Sequence, residues 1–245
     1  MNSILTPDST LQRFSKPGAA RFSLQRRVAA SLLFALCVFV VNSESFAQTT
    51  RPAIVAAADW GSNPQQIADS RKHTPKYITI HHAGVLWTGE KTPVEFVRNM
   101  QTWGQKEKAW PDLPYHFLIA PDGSIFEGRS LEYEPDTNTR YTLAGNIGVE
   151  MMGNFEAQRP SKAQLESCAK LVAWLCQDLK LELKDIRGHN DAAPNQTTCP
   201  GKDFYRYLVD GQFVGWVTAL MKGENVEITP GPPLEGGPTE EIPTS

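Results

Sequence analysis

Basic charge is not in excess in this chain: 24 Lys and Arg stand against 27 Asp and Glu, a formal net charge of −3. A nucleic-acid partner is therefore not indicated, since such proteins normally show a basic balance or a basic stripe. Long apolar runs are scarce as well. The run Val28 to Val41 has 14 residues, short of the ~20 needed to span a bilayer as a helix. Cysteine is sparse, with four residues in 245, and a chain of this length buries a core without disulfides to hold it. No internal repeat is visible, which argues against a stacked-repeat architecture.

The N-terminal part reads as an address. Arg21, Arg26 and Arg27 precede the apolar run, and Ser45-Phe46-Ala47 places small residues at the two positions a signal peptidase reads. This pattern predicts a secretory signal cleaved after Ala47, hence an exported protein, periplasmic or extracellular, with no stable membrane insertion afterwards. The residues after Arg26-Arg27 fit a twin-arginine signal poorly, and Leu36 stands before Cys37 where a lipobox wants a small residue. Cleavage would leave 19 basic and 25 acidic residues, a net charge of −6. Five of those acids lie in Gly223 to Ser245, a stretch rich in Pro, Gly and Glu. Few large apolar residues there predict a disordered tail. The expected organisation is a signal over 1–47, a linker over 48–58, a folded domain over 59–222 and the tail over 223–245.

Within the domain, Tyr77 to His81 reads as a short buried strand, β-branched and apolar. Thr92-Pro93 opens a helix as N-cap and first helical residue, with Phe96, Val97, Met100 and Trp103 as its apolar face. Asp122-Gly123 between Tyr115–Ala120 and Ser124–Glu127 signals a hairpin, and Asn146 to Met152 is a further strand-like run. Ser161-x-x-Gln164 is a capping box, and Leu165, Cys168, Leu171, Val172, Leu175, Cys176 and Leu179 follow at helical spacing. Asp185 to His189 predicts a short strand ending at a histidine, and a last helix falls between Gly211 and Lys222, preceded by a turn or two from Asp203. Alternating strands and helices predict an α/β fold, a single domain with a mixed central β-sheet flanked by helices.

Three cysteines survive signal removal, an odd number for an oxidising compartment. Cys168 and Cys176 fall on one helix about two turns apart, too far for a bridge. They read as small core residues. Cys199 lies in a polar loop followed by Pro200-Gly201, where metal ligation would explain an unpaired thiol. His81-His82, His189 and Cys199 supply imidazoles and a thiolate from separate segments. Two imidazoles and one thiolate leave the fourth corner of a tetrahedral zinc site to water, as in catalytic rather than structural sites. On spacing alone this is weak, because isolated histidines are more often surface or core residues than ligands.

These same segments carry a resemblance. In order stand Asp59-Trp60-Gly61, Ile78-Thr79-Ile80-His81-His82-Ala83, Leu113-Pro114-Tyr115-His116-Phe117-Leu118-Ile119 and Asp122-Gly123-Ser124-Ile125-Phe126-Glu127-Gly128-Arg129. Asn146-Ile147-Gly148-Val149-Glu150, Gly153-Asn154-Phe155, Gly188-His189 and Cys199-Pro200-Gly201 follow. The chain resembles the N-acetylmuramoyl-L-alanine amidase type 2 family, which includes phage lysozyme-like amidases and the peptidoglycan recognition proteins. The resemblance implies one Zn²⁺ ion held by His81, His189 and Cys199, and peptidoglycan or muropeptide fragments as partner. It implies hydrolysis of the amide between N-acetylmuramic acid and L-alanine, with Tyr115 orienting the attacking water or bonding the oxyanion. Thr197, two residues before Cys199, maps to a position where relatives carry a lysine or threonine, and its hydroxyl would donate to the oxyanion.

Glu150 stands where recognition proteins usually have a small residue and bacterial relatives acting on anhydro-muropeptides have a glutamate base. The resemblance makes it a general base; as a plain strand residue it would face solvent or orient a ligand histidine. His82 and His116 would orient the site or touch substrate, or else serve as structural histidines, and Arg129 would contact the stem peptide. Two other readings stay open: a recognition module without catalysis, and a cysteine hydrolase with Cys199 as nucleophile and His189 as base.

Overall fold

The computed structural model describes residues 48–244, so the expected signal lies outside the described residues. The elements run in the order β1 (Ile54–Val55), α1 (Ala57–Trp60), β2 (Tyr77–His82), α2 (Pro93–Glu107), β3 (Phe117–Ile119) and β4 (Ile125–Glu127). They continue with β5 (Asn146–Met151), α3 (Lys162–Asp178), β6 (Ile186–Gly188), α4 (His189–Ala192), α5 (Lys202–Val209) and α6 (Gln212–Met221). The strands form one six-stranded mixed sheet in the order β1-β4-β3-β5-β2-β6, with β3 and β4 antiparallel and the other neighbours parallel. No helix among the described residues is long and apolar enough to cross a membrane.

Local chemistry explains the framework. Thr92 caps α2 and Ser161 caps α3, each in a reciprocal capping box that satisfies backbone N–H groups otherwise left open at a helix start. The box at Thr92 follows the pattern Thr92-x-x-Glu95, of which only the cap and the proline were read from the sequence. Leu165, Cys168, Leu171, Val172, Leu175 and Cys176 are all buried, and both cysteines are free thiols, as their helical spacing predicted. β2 and β5 are buried along nearly their whole lengths and each is paired on both sides, so they are interior strands that hold the residues they carry rigidly.

The structure corrects three expectations. The segment expected to be a linker is part of the fold: β1 pairs with β4, and the Ala57 N–H donates to Glu127 Oε2 at 2.9 Å. The expected tail has no helix or strand of its own yet lies along the domain. Ile228 and Ile242 are each 2% exposed, and Arg159 exchanges backbone bonds with Glu240 and Ile242, both at 2.9 Å. Composition hides this, because two well-placed isoleucines and backbone pairing suffice to order a stretch poor in apolar residues. Finally, the apolar positions of α2 are not all core. Val97 is buried and Phe96 and Met100 are partly buried, but Trp103 is 45% exposed, and the helix's inward face is completed by Gln101 and Gly104.

Candidate metal centre

The parallel pairing of β2 with β5 sets His81 beside Glu150 and Thr79 beside Gly148. Side chains alternate along a strand, so His81 and Glu150 rise from the same face of the sheet. Tyr115 comes to that face from the loop before β3. Its ring lies over Gly148, where an added Cβ would stand 3.2 Å from Tyr115 Cδ1. The sequence at Gly148 is thus set by the ring above it. β6 ends at Gly188 and His189 opens α4, which swings its imidazole to within 4.4 Å of the His81 ring, centroid to centroid.

Cys199 completes the cluster from the loop after α4. Its Sγ lies 3.7 Å from His81 Nδ1 and receives the His82 backbone N–H at 3.3 Å. Thr197 Oγ1 accepts the Cys199 N–H at 3.0 Å and Asn190 N–H donates to Cys199 O at 2.8 Å, which fixes the loop. Among the described residues, His81, His189 and Cys199 are the one group of histidine, cysteine or carboxylate residues whose ligating atoms gather tightly, all within 4.8 Å of one another, and all three are buried.

Electrostatics favour a cation there. Burial, helped by the neighbouring imidazoles, pushes His81 well below the ordinary histidine range, and burial lowers His189 to about 4. Both rings are therefore neutral and offer a lone pair. Burial also raises the Cys199 thiol to about 12, against the His82 N–H that favours the thiolate. Glu150 is fully buried, neither carboxylate oxygen has a hydrogen-bond partner, and burial raises it well above the usual carboxylate range. Two anion-forming groups without a cationic side chain on them are costly in a dry site. A divalent ion held by the two imidazoles and the sulfur would relieve both, and such a donor set fits zinc.

Other expected residues are placed differently. His116 is fully buried, its Nδ1 accepts Gly148 N–H at 2.9 Å and its Nε2 bonds Tyr133 O at 2.9 Å, so no ring nitrogen is left for substrate. Arg129 is 1% exposed and its guanidinium binds the Asp136 carboxylate and the carbonyls of Glu134 and Asp112. Both side chains make hydrogen bonds inside the fold, as the structural alternative for His116 expected, while Arg129 Nε has no partner. His82 is 8% exposed and its Nδ1 accepts the Phe155 N–H at 3.1 Å, so it props the 153–155 loop. Tyr115 keeps part of its surface open, and beside it lies a groove of about 370 Å³ lined by Val85, Phe96, Trp103, Trp110 and Asn138 among others.

Comparison with known proteins agrees with this geometry. The family model described as N-acetylmuramoyl-L-alanine amidase matches residues 71–202, more than half of the chain. The chain belongs to this amidase family. Curated relatives of this amidase-family chain include peptidoglycan recognition protein 1 of Mus musculus, 27% identical over 63% of this chain and 85% of that one. Peptidoglycan-recognition protein SA of Drosophila melanogaster is 30% identical over 62% of this chain and 76% of that one. Among solved structures, Drosophila peptidoglycan recognition protein SD superposes with a TM-score of 0.56 at 26% identity, covering 65% of this chain and 94% of that one. The endolysin amidase LysCS of Clostridium intestinale shares the fold, with a TM-score of 0.52 at 23% identity over 67% and 98%.

Some neighbours of the candidate metal centre were not legible in the sequence. Thr137, Thr139 and Tyr141 surround the His189 ring, with Thr139 Oγ1 2.6 Å from Nε2 and the Tyr141 ring centroid at 5.6 Å. They lie in an irregular loop with no periodicity or motif to single them out.

Proposed function

We propose that this protein is an exported, zinc-dependent N-acetylmuramoyl-L-alanine amidase that cuts the amide between N-acetylmuramic acid and L-alanine in peptidoglycan or its fragments. The observation that carries the reading is the convergence of His81, His189 and Cys199 beside a buried carboxylate without partners. When bound, zinc would polarise the scissile carbonyl and make water acidic enough to react near neutral pH.

The chain's own residues supply the rest. Glu150, held at the level of His81 by the pairing of β5 with β2, would take a proton from the attacking water and return it to the leaving amine of L-alanine. Tyr115 keeps its phenol protonated, since burial and the nearby Cys199 and Glu150 raise it well above its ordinary value. A neutral phenol donates, so it would stabilise the oxyanion of the tetrahedral intermediate. Thr197 Oγ1 accepts from Cys199 N–H and retains its own hydrogen for the same use. The groove beside Tyr115, with its exposed Trp103, would hold the substrate.

A recognition module without catalysis is the second reading, favoured by the many recognition proteins among the relatives. The Cys199 ligand and the Glu150 base support the enzyme. The cysteine hydrolase is less supported: a thiol raised to about 12 is a poor nucleophile at neutral pH. Mass spectrometry of purified peptidoglycan after incubation with the protein separates the three. Free stem peptides released without a chelator and absent with one support the amidase. Release that survives chelation supports the thiol enzyme, and binding without release supports the recognition module.

A further inference from the structure

We propose that Thr139 is a positioning residue that fixes the ring of His189 for metal binding. The inference rests on the zinc-centre reading above and extends it to a residue outside the ligand set. Thr139 Oγ1 lies 2.6 Å from His189 Nε2, the shortest of the contacts around that ring, and Thr137 Oγ1 lies 3.4 Å from the same nitrogen. The two hydroxyls are 3.0 Å apart, and Thr137 Oγ1 also receives the Thr139 N–H at 3.2 Å.

An imidazole that ligates through one nitrogen carries its hydrogen on the other. With Nε2 engaged by Thr139, Nδ1 is the atom left to meet His81 and Cys199. Nε2–H then donates to Thr139 Oγ1, whose own hydrogen passes to Thr137 Oγ1. The opposite tautomer would put a hydrogen on Nδ1 and close the metal position. Metal-bound histidines commonly give this hydrogen to a carboxylate or carbonyl. A hydroxyl acceptor fixes the ring in the same way but adds no negative charge to a site already holding Cys199 and Glu150.

The loop is anchored where this role needs it. Arg140 N–H donates to Gln196 Oε1 at 2.8 Å and Gln196 Nε2–H donates to Arg140 O at 3.0 Å, which ties the loop of Thr139 to the segment leading into Cys199. Thr139 itself is a half-buried loop residue, so its replacement does not open the core.

The test is zinc affinity, measured by competition with a chromophoric chelator on full-length processed protein, for wild type and for Thr139→Val, Thr139→Ala and Thr139→Ser. Valine and alanine should weaken zinc binding ~10–100-fold, the range typical of removing such a partner. Serine, which keeps the hydroxyl, should restore affinity to within about threefold, and the d–d spectrum of cobalt-loaded Thr139→Val should shift while that of Thr139→Ser does not. Unchanged affinity in the valine and alanine variants overturns the role of Thr139 and leaves the zinc centre standing. Equal losses in the serine and valine variants also overturn it, since packing and not the hydroxyl would then be at work. A wild-type protein that binds no zinc removes the centre and this role together.

Discussion

His81 and Glu150 are lateral neighbours on the paired parallel strands β2 and β5, so the proposed metal ligand and a carboxylate without partners rise side by side from the same sheet face. Strand register, not loop packing, holds this pair. A rigid pair of this kind gives the proposed base a fixed distance to the reacting centre, which is what general-base catalysis requires.

Glu150→Gln keeps shape and burial but removes the proton acceptor. Stem-peptide release should fall ~10²–10⁴-fold, the usual worth of a positioned base. Muropeptide affinity, measured by calorimetry, should stay within a factor of about three, because the carboxylate does not line the groove. Undiminished release would remove Glu150 from the mechanism.

Gly148→Val tests the seat of Tyr115. A Cβ there already falls 3.2 Å from the ring, and a branched side chain must push it aside. Activity should drop toward that of Tyr115→Phe, which lacks only the hydroxyl, while bound zinc per chain is unchanged. Parallel measurement of turnover and metal content on both variants decides this.

His116 predicts an acid-sensitive fold. Burial lowers it from the ordinary 6.5 to about 3, only partly offset by its bond to Tyr133 O. Between those values the unfolded chain binds a proton that the folded chain refuses. Its stability contribution is therefore complete above pH 6.5 and is lost as pH falls toward 3. The loss from this one group is on the order of several kcal/mol at the acid end. Urea unfolding of metal-free protein across this range should show a shallower pH slope for His116→Gln than for wild type.

The C-terminal segment should be stabilising. A chain ending at Gly223 loses the buried Ile228 and Ile242, each worth ~1.5–3 kcal/mol. The thermal midpoint should fall by roughly 10 °C. An unchanged midpoint would show that the segment is not held in solution.

The fold class was legible because the strands and capped helices announced themselves locally: β-branched runs at Tyr77 and Asn146, a capping box at Ser161, Asp-Gly at the hairpin. The three clustered residues, His81, His189 and Cys199, were legible through their motifs, and strand alternation placed His81 and His82 on opposite faces. What stayed hidden depends on long-range packing. Ile54-Val55 is too short to read as a strand, and Trp103 has helical spacing yet faces the groove. Arg129 and His116 look like free polar groups until their internal partners are seen. Thr139 has no signal in sequence, since only folding brings its loop across 50 residues to His189.

Zinc stoichiometry tests the central claim most directly. Elemental analysis of processed wild-type protein after exhaustive dialysis should find one zinc per chain, and Cys199→Ala and His189→Ala, each folded by circular dichroism, should retain far less. A wild-type protein free of zinc, or ligand variants that keep it in full, would contradict the account.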